Sequence, residues 1–381
     1  MAASAKPLET GFGDLLRDQD TSHGATSTLD GQIETSLGVR SRSNESPVIG
    51  HSATVASVPI VIIGAGLAGL IAAQDLTAAG RSVIVFDREL TPGGRLGTSY
   101  LDGQAIDLGA QFFTARSASF NDFVAQLRPS GLVFEWCRGF NEVDGYPRFA
   151  CRGGMSSLAA HLAQGNVGEI RLGVDVVGVA RRSDGGWRVN WADGEADADA
   201  LLLTAPVPVS LALLDAGGVG LDPAVDTTLR RMAYNRVLAV GVRLDRASAI
   251  PPPGARQLAE GPFSFVADNE QKGTAALPCV TLHASHAYST EHWEADDEEI
   301  LTELLRLGAL WFGEAEVVSS VLQRWRYAGP TTAEVEACCV LQGGTNPLVC
   351  AGDGFAGSKV EGAYLSGRAA AAALIELAAV S

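Results

Sequence analysis

The chain has 381 residues, 46% hydrophobic and 19% charged, with 28 Lys plus Arg against 44 Asp plus Glu and a formal net charge of −16. That length holds about two to three ordinary domains with a sizeable core, and the apolar share excludes a disordered chain. The acidic balance argues against nucleic acid and against an anionic membrane surface as partners, since both are gripped by clustered Lys and Arg.

Residues 1–55 carry four basic and seven acidic residues among many Ser, Thr and Gly. They show neither helical nor strand periodicity, nor the Arg-rich, acid-poor character of a transit peptide, nor the apolar run of a secretory signal. They are expected to form a flexible extension. The apolar window Val55 to Ala73 is interrupted by Pro59, Gly64, Gly66 and Gly69 and stops at Gln74. A strand, a glycine turn and a helix account for it better than a bilayer does.

From Pro59 the pattern predicts a strand over 60–63, a helix over 67–79 ended by Gly80, and a second strand over 82–86: a βαβ unit. Further on, 169–179 and 187–191 read as paired strands around the turn Ser183-Asp184-Gly185-Gly186, and 200–204 as a buried strand stopped by Pro206 and Pro208. Strands are expected over 235–246 and 278–283. An amphipathic helix is expected over 294–310, with the acidic run Asp296-Asp297-Glu298-Glu299 at its dipole-favoured end. The chain closes with a strand over 348–351 and an alanine-rich helix over 362–380.

Six cysteines, with no C-x-x-C, read as buried reduced thiols, which suggests the cytoplasm. No histidine or cysteine spacing suggests a metal.

The motif Gly64-Ala65-Gly66-Leu67-Ala68-Gly69 lies between the first strand and the first helix. Gly64 permits the tight turn, Gly66 lets a pyrophosphate approach, and Gly69 packs helix on strand, while the helix N-terminus supplies amide donors. Asp87 ends the second strand, where a carboxylate accepts the ribose hydroxyls of an unphosphorylated dinucleotide, FAD or NAD. Gly93-Gly94-Arg95 follows, a paired glycine and a fixed guanidinium suited to a diphosphate and not needed by an NAD dehydrogenase. Asp107-Leu108-Gly109-Ala110-Gln111-Phe112 comes next, and Gly352-Asp353-Gly354-Phe355 and Glu361-Gly362-Ala363 stand near the C-terminus.

Gly-Gly-Arg after the ribose acid, with Gly-Asp and Glu-Gly-Ala near the C-terminus, resembles the FAD-dependent amine oxidase superfamily. Asp107-Leu108-Gly109-Ala110-Gln111, Pro206-Val207-Pro208, Asp268-Asn269, Leu282-His283, Arg324-Trp325-Arg326-Tyr327 and Gly352-Asp353-Gly354-Phe355 are similar, in the same order, to the renalases. The resemblance covers nearly all of residues 58–370.

It implies an α/β fold: a discontinuous Rossmann-type FAD-binding domain (56–118, 152–208 and 332–381) with an inserted mixed-sheet substrate domain (119–151 and 209–331). For FAD it implies that Ala65, Leu67 and Ala68 line the pyrophosphate turn, Asp87 holds the ribose and Arg95 meets the diphosphate. Gln111 and Phe112 lie beside the flavin, Val176 meets the adenine through its backbone, and Asp353 bonds the ribityl chain. Gly362 and Ala363 offer helix amides to the flavin N1–O2 edge, and Arg88, Gly352 and Glu361 complete the cofactor set. Helix amides favour the reduced, negative flavin by roughly 1–2 kcal/mol, about 20–40 mV for two electrons.

Cys350 does not match the aromatic-flanked cysteine that carries FAD in monoamine oxidases, so non-covalent FAD is expected. Many amine oxidases place a lysine at a water near flavin N5, where this chain offers His283. His283 reads either as a structural residue at a strand end or as a polar substrate contact. Trp325, Arg326 and Tyr327 read either as an alternating strand with one wet face or as a stacking aromatic beside a guanidinium for a carboxamide or phosphate. The implied activity is oxidation of an isomeric 2- or 6-dihydro-NAD(P) by FAD and then dioxygen, giving NAD(P)+ and hydrogen peroxide. The alternatives are an oxidoreductase for an amine or apolar substrate and a non-catalytic flavin-binding protein.

Overall fold

The computed structural model describes residues 58–334 and 336–379; the expected 1–55 extension lies outside them. Its base is a six-stranded sheet in the order Cys339–Gln342, Leu348–Cys350, Ala200–Leu203, Ile60–Ile63, Val83–Asp87, Glu169–Leu172. Every neighbouring pair is parallel except the first. Central strands in such a sheet are covered on both faces, so they read as unbroken apolar runs. Ile60–Ile63 and Ala200–Leu203 are buried at every position. Helices Leu67–Ala78 and Val360–Ala379 pack on one face around Leu70, Ile71 and Tyr364. Helix Val207–Ala216 and the antiparallel sheet Val176–Arg181, Trp187–Trp191, Gly194–Ala198 cover the other, around Trp187 and Leu203.

A second sheet is antiparallel throughout, in the order Ala255–Gln257, Phe263–Asp268, Cys279–Ala284, Tyr234–Leu244, Val317–Pro330. One face carries helix Asp297–Phe312, packed on Leu238, Val240 and Leu282. The other meets Ile106 and Leu108 from the dinucleotide-binding part. The architecture is therefore α/β, a Rossmann-type layer built from separated segments beside a second layer whose sheet is antiparallel, not mixed as expected.

Two further expectations need correction. The stretch 169–179 is two strands: Glu169–Leu172 extends the large sheet beside Val83–Asp87, and only Val176–Arg181 pairs with Trp187–Trp191. Gly173, at φ +72°, turns the chain between them. The expected substrate segment 119–151 divides its contacts. Helix Ala118–Leu127 buries Phe120, Val124 and Leu127 in the dinucleotide-domain core, whereas Trp136 and Phe140 pack with Phe265 of the antiparallel sheet.

Candidate flavin and substrate site

The loop after Ile60–Ile63 has the shape of a dinucleotide cradle. A Cβ on Gly69 would stand 1.9 Å from the Gly64 carbonyl oxygen, so helix and strand meet at a distance only glycine allows, while a Cβ on Gly66 meets nothing within 4 Å. The space at Gly66 is where a phosphate backbone fits. The first-turn amide of Ala68 has no acceptor among the described residues and suits a phosphate oxygen. The Ala65 amide is committed within the protein, donating to Asp87 Oδ2 at 2.6 Å. Asp87 Oδ1 also accepts from Glu89 N at 2.9 Å, and each oxygen keeps a lone pair for a ribose hydroxyl. Burial pushes the Asp87 carboxyl up, and these two amides oppose it.

The segment 93–97 links this cradle to the rest of the site. Gly93 bridges Gly66, with Gly93 N donating to Ala65 O at 2.9 Å. Further along, Arg95 O accepts from Ala110 N, and Gly97 O accepts from Leu108 N and Gly109 N. Arg95 and Asp353, 258 positions apart, form a two-pronged ion pair at 2.5 and 2.7 Å, and Arg95 also donates to Tyr327 O at 3.2 Å. Their side chains keep 27% and 13% of their exposure, so the pair faces an opening.

At the C-terminal helix the two amides expected at the flavin edge separate. Ala363 N already donates to Lys359 O at 3.0 Å, and Gly362 N has no acceptor among the described residues. Glu361 turns away, its carboxylate accepting from the amides of Arg116 and Ser117 at the start of helix Ala118–Leu127. Gly352 N donates to Ser366 Oγ at 2.9 Å. Val176 begins its strand opposite Trp191 and is buried. Arg88 lies half exposed beside Glu89. Cys350 is sealed in the core with 1% exposure, and burial pushes its thiol up to about 12. The cradle, ribose acid and helix amide fit FAD held without a covalent bond.

On the antiparallel side, His283 and Trp325 converge on one atom. Trp325 Nε1 donates to the Leu108 carbonyl at 2.8 Å and His283 Nε2 lies 3.0 Å from the same oxygen. A carbonyl only accepts, so Nε2 carries the proton and Nδ1 is left as an acceptor, with no hydrogen bond among the described residues. Burial, reinforced by the Lys272 charge, pushes His283 down to about 4, so the ring is neutral near pH 7. Gln111 donates to Asp107 O and Gly109 O and lies 3.5 Å from His283 Nε2. Phe112 stacks edge-on to Phe140 at 4.8 Å and lies 6.0 Å from Phe265, itself 6.5 Å from the His283 ring.

The expectation for Arg326 is corrected. Side chains alternate along Val317–Pro330, and Trp325 and Tyr327 turn to Leu108 and Tyr234. Arg324 and Arg326 turn to Trp293 on the opposite face, with their guanidinium carbons 5.9 and 5.7 Å from its ring. Arg326 therefore stands apart from His283 and Trp325.

Sequence reasoning missed the buried polar cluster behind Gln111. Lys272, 1% exposed, donates to Asp107 Oδ2 at 2.7 Å and to Gln111 Oε1 at 3.1 Å. Asp107, fully buried, also accepts from Thr98 Oγ1 at 2.6 Å and from Met155 N at 2.7 Å. The one available signal was scarcity: besides Lys6 and Lys359, Lys272 is the chain's only lysine.

The family described as flavin containing amine oxidoreductase matches residues 133–375, and an NAD(P)-binding Rossmann-like domain matches residues 62–127. Hydroxyneurosporene desaturase of Rubrivivax gelatinosus is 42% identical over 83 residues, 19% of this chain and 16% of that protein. Putrescine oxidase of Kocuria rosea is 40% identical over 76 residues, 20% of this chain and 16% of that protein. The chain thus spans about a sixth of the length of these curated relatives. The cyclohexylamine oxidase structure from Brevibacterium oxydans IH-35A superposes with a TM-score of 0.64 at 14% identity, over 84% of this chain and 99% of that one, a likeness of fold. Among the described residues, no helix is long and apolar enough to cross a membrane.

Proposed function

We propose, on the premise that this chain belongs to the family of flavin containing amine oxidoreductases, that it is a renalase-like flavin oxidase for isomeric dihydronicotinamides. Its substrate class is 2- or 6-dihydro-NAD(P), its acceptor is dioxygen, and its products are NAD(P)+ and hydrogen peroxide. FAD when bound supplies the two-electron acceptor and then the reductant for dioxygen. The reading rests on one observation: a flat indole and a neutral imidazole held by the Leu108 carbonyl, at the far end of the 93–97 segment from the dinucleotide cradle.

Trp325 offers a face on which a nicotinamide ring stacks. His283 offers Nδ1 as an acceptor for a carboxamide N–H. A neutral imidazole is suited to positioning rather than proton donation, and hydride transfer needs alignment of donor carbon and acceptor more than acid–base help. The six free cysteines fit a reducing compartment, and on that ground we place the protein in the cytoplasm.

A second reading is supported by the cluster of Phe112, Trp136, Phe140 and Phe265 beside His283. These rings suit an amine or an apolar substrate, as do the names of the two curated relatives.

Anaerobic mixing of the yellow protein with isomerised NADH, and separately with ordinary NADH, separates the readings. Flavin bleaching by the isomers and not by ordinary NADH supports the first. Bleaching by neither, with bleaching by a diamine or cyclohexylamine, replaces it with the second. A colourless protein that takes up no FAD removes both.

A further inference from the structure

Two consecutive backbone carbonyls carry most of the order on the substrate side. Asp107 O accepts from Gln111 Nε2 and from Thr281 Oγ1, the latter at 2.9 Å. Leu108 O accepts from His283 Nε2 and Trp325 Nε1. Thr281 and His283 share one face of strand Cys279–Ala284, so four side chains from three parts of the chain converge on one dipeptide.

Something must hold that dipeptide still, and backbone bonds do only part of it. Asp107 N has a long contact to Asn269 Oδ1 at 3.4 Å, whereas Lys272 Nζ reaches across to both the Asp107 carboxylate and Gln111 Oε1. The rest of its ammonium faces the Trp136 ring, 5.4 Å from the centroid. Asn269, on the same short helix Asn269–Lys272, also donates to Thr281 Oγ1 at 2.9 Å. An apolar pair of similar volume would stabilise the fold as well as a buried ion pair commonly does, so a buried pair is retained most intelligibly for specificity of arrangement.

We propose that Lys272 is a positioning residue for the substrate side of the flavin site: held between Asp107 and Gln111, it orients the Gln111 amide and fixes the Asp107-Leu108 carbonyls on which Thr281, His283 and Trp325 are hung. It touches neither substrate nor cofactor in this role. The inference deepens the flavin-oxidase reading, because it depends on Gln111, His283 and Trp325 facing the flavin and its substrate. Without the ammonium, Gln111 Oε1 and the Asp107 side chain lose their shared donor, and the Asp107-Leu108 dipeptide loses the side-chain tie that fixes its carbonyls. A Leu108 carbonyl free to shift no longer holds the acceptor that selects the Nε2–H tautomer of His283.

The charged groups acting on that ring are Lys272, which disfavours the imidazolium, and Asp107, which favours it. The flanking strands place Ala239 and Phe265 opposite His283 and add no charge.

The test uses the FAD-loaded full chain and side-chain NMR of His283 and of the Trp325 indole N–H, assigned with His283→Asn and Trp325→Phe. Lys272→Met alone leaves Asp107 buried without its cation and is expected to lose stability, so the deciding variant is Lys272→Met with Asp107→Asn. That pair is neutral, close in volume, and keeps an acceptor for Thr98 and Met155. The expected result is full FAD content, a His283 signal split between two tautomers in place of the single Nε2–H form, and a broadened Trp325 indole signal. Flavin bleaching by isomerised NADH is expected to slow at least tenfold with little change in its half-saturating concentration.

A double variant with the single wild-type His283 tautomer and a sharp Trp325 signal would overturn the proposal and leave the ion pair a purely structural element. Failure of the function reading has a different signature: wild type itself binds no FAD, or binds it and is not bleached, while the NMR comparison still decides the role of Lys272.

Discussion

The sequence suggested Arg95 as a diphosphate contact; its two-pronged pairing with Asp353 was not legible, since no local pattern relates residues 258 positions apart. The pair changes the expected effect of substitution. Arg95→Ala removes a charge-assisted donor and also leaves the Asp353 carboxylate without its counter-charge, so FAD affinity should fall by ten- to a hundredfold, about 1.5–3 kcal/mol. Adding Asp353→Asn to that variant should recover part of the loss, and flavin fluorescence titration measures both; equal affinities throughout would remove Arg95 from the cofactor site. Trp325→Ala should leave FAD bound and slow flavin reduction in stopped-flow. His283 makes a prediction about pH. Its folded value is pushed down to about 4 from 6.5, so the unfolded chain takes up a proton first as pH falls. The stability tied to the neutral ring is complete above about pH 6.5, declines as pH drops toward 4, and amounts to on the order of 3 kcal/mol. The difference between wild-type and His283→Asn urea midpoints should narrow over that interval and stay constant above it.

Elements formed by local rules were the readable part. The first strand, the glycine turn and helix Leu67–Ala78 follow from apolar runs and glycine spacing; the expected helix over 294–310 forms as Asp297–Phe312, with Asp296 capping it through Glu298 N. The split of 169–179 was missed because both halves are strand-like and only pairing with Val83–Asp87 distinguishes them. Of strand Val317–Pro330 the sequence shows only the alternation Arg324-Trp325-Arg326-Tyr327; packing on Trp293 and Leu108 decided which of these residues meet the site. The glycine turn supplies a paired test. Gly66→Ala adds a methyl group to open space, so thermal stability of the FAD-free protein should change by less than ~1 kcal/mol while FAD binding collapses. Gly69→Ala puts its methyl 1.9 Å from a backbone oxygen and should destabilise the fold itself by about 3 kcal/mol or more. Calorimetry with and without FAD tells the two apart; similar unfolding temperatures for both apoproteins would contradict the assignment of Gly69 to packing.

At the scale of the molecule, residues 60–87, 200–203 and 348–350 assemble the parallel sheet, and 234–330 supply the antiparallel one. A ligand that binds only the folded assembly stabilises it by mass action, about 2.7 kcal/mol at a hundred times its dissociation constant. The melting temperature of the FAD-free protein should therefore rise with added FAD; no rise with FAD would reassign the cradle. The sequence by itself determined the α/β class and the glycine turn of the dinucleotide cradle, because each depends on backbone geometry that a few consecutive residues impose. It also pointed to His283 and Trp325. Only the tertiary structure decided that these two share the Leu108 carbonyl, that Arg326 faces away, that Glu361 caps a helix, and that Lys272 is buried against Asp107 and Gln111. A lysine in a polar stretch reads as exposed until the fold brings a carboxylate from 165 positions away to meet it, for burial and charge pairing are properties of neighbours in space.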